Sequence, residues 1–269
     1  MESLLFCFEI ALIQVGVLLF LSIIAKNPFI ICGIKGTLYN VLIMYLLQTI
    51  VYIIIYLLGN EPYLFYLLLP MVSVVSFFIV SPLVYVYASG KVERMPELEA
   101  RVLQFTGIKA KVFLAHNKSI NAWAFGASFL NIIIIENNLV EKVSTESVNA
   151  ILCHEAGHLW HRHVNRFMLI SYIYFVLLIL GAAYLAPYIP LPRDFAAAVW
   201  AGITVSLQMI VIKLFSDRFE FQADRYSGKA VGNSTMQTAL NELNEAIDHY
   251  LEQWSWTHPR LSERLKNLD

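Results

Sequence analysis

Long apolar runs constrain this chain more than any other feature. Residues 3–25 carry only Glu9 as a charge, and residues 36–58, 62–88, 167–192 and 195–212 carry none. About 20 apolar residues cross the hydrocarbon core of a bilayer as a helix, and each run reaches or approaches that length. The 269 residues are 58% hydrophobic and only 14% charged. Too little polar sequence remains to cover five such helices in water. The first run lacks the basic leader and small-residue cleavage site of a signal peptide. The predicted fold class is therefore a mainly α integral membrane protein with about five transmembrane helices.

Lysines and arginines near the ends of the runs set the orientation. Lys26, Lys35, Lys91, Arg94, Arg101, Arg162, Arg166, Lys213 and Arg218 all fall on one side. The other side holds Glu61, Arg193 and Asp194. This bias predicts a multi-pass protein of the cell membrane with its N-terminus outside and residues 89–166 and 213–269 in the cytoplasm. Four regions follow: a membrane region (1–90), a first polar part (91–166), a transmembrane hairpin (167–212) and a second polar part (213–269). The formal net charge of -1 offers no basic excess for nucleic acid. Cys7, Cys32 and Cys153 are odd in number and scattered, which argues against a disulfide framework or a cysteine zinc cluster.

In the first polar part, Pro96 and Gly107 bracket a helix. Residues 108–115 and 129–136 read as strands, with "NAWAFG" (121–126) as a third, edge strand. Ser144 is the expected N-cap of a helix running through Cys153 to about His163. On that helix lies "CHEAGHLWHRH". His154 and His158 are four residues apart and share a face, so two imidazoles converge on one zinc ion with Glu155 beside its open position. Zinc polarises a carbonyl and lowers the pKa of water toward ~7, as amide hydrolysis requires. A third ligand is needed, and "DRFEFQADR" supplies Glu220, with Asp224 one turn on to orient a ligating histidine. His161 lies two turns, about 10 Å, from His154 and is too far to bind the same ion. His161 and His163 are read as interfacial side chains near lipid head groups.

These motifs, with "HPRLSERL" at 258–265, resemble the HtpX family of membrane zinc metalloproteases, whose arrangement the CAAX prenyl proteases share. The resemblance covers residues 92–269. It implies a cytoplasmic zincin-like (gluzincin) α+β catalytic domain with a small β-sheet. It further implies one zinc ion per chain held by His154, His158 and Glu220, and Glu155 as catalytic base. His258 and Arg264 would stabilise the oxyanion or support the ligands. Asn121, Ala122, Trp123 and Ala124 would receive the substrate backbone by strand addition. One departure is the extra span: HtpX proteins usually place two ahead of the catalytic domain, where three are predicted here.

The expected function is zinc-dependent endoproteolysis of membrane or misfolded proteins on the cytoplasmic side, in membrane-protein quality control. The partners would be protein or peptide substrates and the lipid bilayer, without nucleic acid. Alternatives are a prenyl-protein (CAAX-type) protease, which has more spans, and a BlaR-type sensor, which would have to sense within the membrane because the outward loops are short. A transporter would carry polar or charged residues inside its spans, and Glu9 alone is charged there.

Overall fold

The computed structural model describes residues 92–116, 119–125, 130–185, 193–253, 255 and 258–269, with scattered positions at 46–86 and at 188. Most of the three N-terminal predicted spans, residues 126–129 and the end of the fourth span lie outside these residues. Two compact units are present, Met1–Tyr85 with Phe167–Val211, and Val86–Arg166 with Ile212–Asp269.

The second unit is built on a mixed sheet of β1 (Val92–Arg94), β2 (Lys111–Ala115), β3 (Ala122–Phe125) and β4 (Ile132–Glu136), in the order β1-β2-β4-β3. β2 and β4 run parallel, while β3 pairs antiparallel with β4 and forms one edge of the four. All five residues of β4 are buried, as a continuous β-branched run predicts for a strand covered on both faces. Ile133 and Ile135 join a core with Leu98, Val102, Val112, Leu152 and Ala156, so that face receives the helices. Ile132 and Ile134, in register with Phe125 and Trp123, point to the opposite face.

α1 (Pro96–Thr106) starts at a proline and stops where Gly107 adopts a left-handed φ of 71°, its N–H returning to the Leu103 carbonyl. α2 (Asn137–Lys142) leads into α3 (Thr145–Trp160). α3 is capped by Ser144, whose hydroxyl accepts from the Ser147 N–H, while the Ser144 N–H donates to Glu242 at 2.7 Å. α3 lies at the centre of the unit, packed against β3, α1 and α6 (Asn233–Ala246), and is buried on nearly every side. It ends at Trp160, three residues short of the predicted end, because Arg162 takes a left-handed φ of 53° and turns the chain. A 3-10 turn (Tyr250–Glu252) and α7 (Leu261–Lys266) complete the unit.

α4 (His163–Leu185) and α5 (Arg193–Val231) enter the first unit. Among the described residues, one helix, His163–Gly181, is long and apolar enough to cross a membrane, against the five spans predicted for the whole chain. Leu169, Ile173, Leu177, Leu180 and Tyr184 form an exposed stripe on α4, and Ile203, Leu207, Ile210 and Leu214 form another on α5. The predicted fifth span and the Glu220 segment are thus one uninterrupted 39-residue helix.

α3 and α5 meet at Gly157. A Cβ there would lie 3.0 Å from the Ala223 Cα and 3.1 Å from the Tyr226 Cβ. Helix backbone cannot retreat locally, so Gly157→Ala must push the two helices apart. It is expected to destabilise the protein by about 1–3 kcal/mol, the usual range for overpacking. The loss should register as a lower unfolding midpoint in denaturant.

Candidate metal centre

α3 and α5 each contribute one helical face. From α3 come His154, Glu155 and His158, and from α5 come Glu220 and Asp224 at i and i+4. One ligand atom from each of His154, His158 and Glu220 lies within 4.8 Å of the others, a group that could hold a metal ion. His154 Nε2 is 3.1 Å from His158 Nε2 and 3.6 Å from Glu220 Oε2, and His158 Nε2 is 3.4 Å from Glu220 Oε1. Atoms each held ~2.0–2.2 Å from a tetrahedral zinc ion stand about 3.3–3.6 Å apart. The three separations lie close to those values, so the residues could hold a metal ion of this kind.

Proton placement supports the same fit. His154 Nδ1 faces the Asp224 carboxylate at 2.8 Å, and a carboxylate only accepts, so the proton of a neutral imidazole sits on Nδ1. That leaves a lone pair on His154 Nε2, aimed at the neighbouring imidazole and a carboxylate.

Glu155 is buried on the same turn of α3, 7% exposed. Arg264 from α7 is also buried and donates twice to Asp224, from Nε at 2.9 Å and from Nη2 at 2.6 Å, with Nη2 3.6 Å from Glu220 Oε2. His258 Nδ1 stands 3.0 Å from Glu220 Oε2, and the His258 side chain is 38% exposed, so it reaches the site from the solvent side. Burial pushes the Glu220 carboxyl up, but the His258, His158 and Arg264 side chains around it outweigh that effect. They hold Glu220 well below the usual carboxylate range. Asp224 is likewise lowered, its burial overcome by the charge and hydrogen bonds of Arg264 and by His154. Such carboxylates add stability that is complete above the ordinary carboxylate range and is lost as pH falls through their folded values.

β3 carries Ala122, Trp123 and Ala124 and packs against α3, with Ala122 in the same core as Ala156. Asn121 immediately precedes it. The Asn121 carbonyl accepts from the Glu136 N–H at 3.0 Å, and its side-chain oxygen accepts from the Ala122 N–H at 2.9 Å.

His163 departs from expectation. It is not an interfacial side chain but is 1% exposed, with Nδ1 2.9 Å from His158 Nδ1 and Nε2 2.9 Å from Gln222 Oε1. The sequence places it at the head of an apolar run, which suggests a membrane interface, whereas the Arg162 turn swings it back beneath His158. His161 stacks on its outer face, with ring centroids 5.4 Å apart. Sequence reasoning also passed over Phe219 and Gln222, whose only signal is their i, i+3 spacing within the Glu220 segment.

Fold and site together define a mainly helical chain with a small mixed sheet and a buried His-His-Glu group of metal-ligand geometry. A family model described as Peptidase family M48 matches residues 87–269, and the chain belongs to that family. It is 25% identical over 192 residues to a CAAX prenyl protease 1 homolog of Dictyostelium discoideum, covering 63% of this chain and 45% of that protein. It is also 25% identical over 156 residues to a Protease HtpX homolog of Neisseria meningitidis, covering 54% and 56%. The chain thus spans about half the length of these curated relatives. Its fold is similar to the crystal structure of S. mikatae Ste24p, with a TM-score of 0.67 and 18% identity over 88% of this chain and 66% of that one.

Proposed function

We propose that the chain is an integral-membrane zinc endopeptidase with one zinc ion held by His154, His158 and Glu220. The observation that carries this reading is the set of 3.1, 3.4 and 3.6 Å separations among their ligand atoms, with Glu155 on the same turn. Bound zinc would supply Lewis acidity toward a peptide carbonyl and toward water. Glu155 takes a proton from the attacking water and returns it to the leaving amine. An extended substrate segment pairs along the outer edge of β3, from Asn121 through Ala124. His258, at the solvent mouth, donates to the developing oxyanion. Arg264 has its guanidinium committed to Asp224, so its role is to hold that carboxylate against His154.

The apolar stripes on α4 and α5 support membrane insertion, and the one-sided distribution of Lys and Arg supports a site on the cytoplasmic side. The substrates are membrane or misfolded proteins, a reading that rests on likeness to Protease HtpX homologs and extends to quality control. Similarity to the Dictyostelium protein favours one second reading, a prenylated C-terminal peptide as substrate. Comparison of farnesylated and unmodified peptides separates the two.

The test uses full-length protein purified in detergent. The wild type is expected to hold one zinc ion per chain and to cleave casein in a chelator-sensitive manner, and Glu220→Ala is expected to lose both the metal and the cleavage. Absence of stoichiometric zinc after zinc is supplied would overturn the proposal.

A further inference from the structure

The two histidines of the metal centre are supported differently. His154 Nδ1 meets a carboxylate, that of Asp224, whereas His158 Nδ1 meets the imidazole of His163. Gln222 Oε1, 2.9 Å away, can only accept, so His163 Nε2 carries a proton. If His158 turns the lone pair of Nε2 toward a metal, its proton is on Nδ1. Two N–H groups cannot face each other at 2.9 Å, so His163 Nδ1 must be bare and accept from His158. The His163 ring has little room to turn away, since it stacks on Phe219 with centroids 4.2 Å apart and planes 9° from parallel, and His161 stacks on it as well. Phe219 and Gln222 belong to the helix that supplies Glu220 and Asp224, so α5 builds the support of both histidines along with the third ligand.

Resting on the metal reading above, we propose that His163, locked by Gln222 and Phe219, is a positioning residue that fixes the tautomer and ring orientation of His158. Its chemistry suits the place. A carboxylate there would add a fourth buried acid to Glu155, Glu220 and Asp224, against Arg264 as the buried cation. A neutral imidazole accepts the same proton without that charge.

Zinc affinity by chelator competition and the cobalt(II) absorption spectrum, both on the detergent-purified full chain, test the assignment. His163→Phe keeps the stack on Phe219 but has no acceptor. It is expected to bind zinc about 10–100-fold more weakly, the usual effect of losing a residue that orients a metal ligand, with an altered cobalt spectrum. His163→Asn brings a carbonyl oxygen close to the position of Nδ1 and should restore affinity and spectrum toward wild type. Wild-type affinity in His163→Phe overturns the proposal. So does a His163→Asn variant as weak as His163→Phe, since packing alone would then be at work. If His163→Phe does not fold, Gln222→Met carries the test, and unchanged affinity there overturns the relay. Failure of the wild type itself to bind zinc removes the metal reading and this inference together, whereas equal binding by wild type and variants removes this inference alone.

Discussion

Glu155→Gln is expected to lower kcat for casein cleavage by about 10²–10⁴-fold or more, the contribution of a positioned acid–base group, with zinc still at one per chain. Gln has the same shape and fits the same buried position on α3, between His154 and His158. Its amide cannot take a proton from water or deliver one to the leaving amine. Because Glu155 is outside the group His154, His158 and Glu220, metal content and unfolding midpoint should be unaffected. Metal analysis and cleavage are measured on the same preparation. Loss of zinc would make Glu155 part of the binding set, and full activity would remove it from the chemistry.

Arg264→Met carries the largest expected cost in stability. Arg264, Asp224 and Glu220 are all buried, and the guanidinium donates to both Asp224 oxygens. Burial works against the charge on Arg264, yet Asp224, Glu220 and Glu155 raise its affinity for a proton, so it stays charged. A methionine fills similar volume but leaves two carboxylates uncompensated, which costs about 3–5 kcal/mol when one member of a buried pair is removed. Denaturant unfolding of the metal-free protein measures the loss. The sign of its pH dependence follows from Asp224. Its lowered carboxyl contributes stability above the ordinary carboxylate range near ~3.9, and that contribution disappears as pH falls through its folded value. The gap between wild type and variant is therefore widest near neutral pH and narrows in acid. Combining Arg264→Met with Asp224→Asn should cost less than the sum of the single changes, because the second removes a charge that the first left unpaired.

What was legible locally was periodicity and punctuation. The four-residue spacings in 154–158 and 220–224 place side chains on helix faces whatever the surroundings. Ser144, Pro96 and Gly107 mark helix ends through hydrogen bonds and backbone angles confined to a few residues. The run of isoleucines before Glu136 announced a strand, and the structure buries it on both faces. His163 was misread because its neighbours in sequence are those of a membrane entry. Its neighbours in space, His158, Phe219 and Gln222, are brought to it by a left-handed Arg162 and by a helix more than fifty residues further along.

The sequence by itself determined the residue types and spacings of a candidate metal site, the helices that carry them and the hydrophobicity of the segments around them. These depend on interactions within one or two turns. Tertiary structure alone decided that His154, His158 and Glu220 converge, that Asp224 and His163 each back one histidine, and that Arg264 neutralises the acids beneath them. The physical reason is the approach of α3 to α5, which Gly157 permits by leaving no Cβ between the backbones. No local rule encodes such an approach, because its stability comes from packing and charge compensation between residues far apart in the chain.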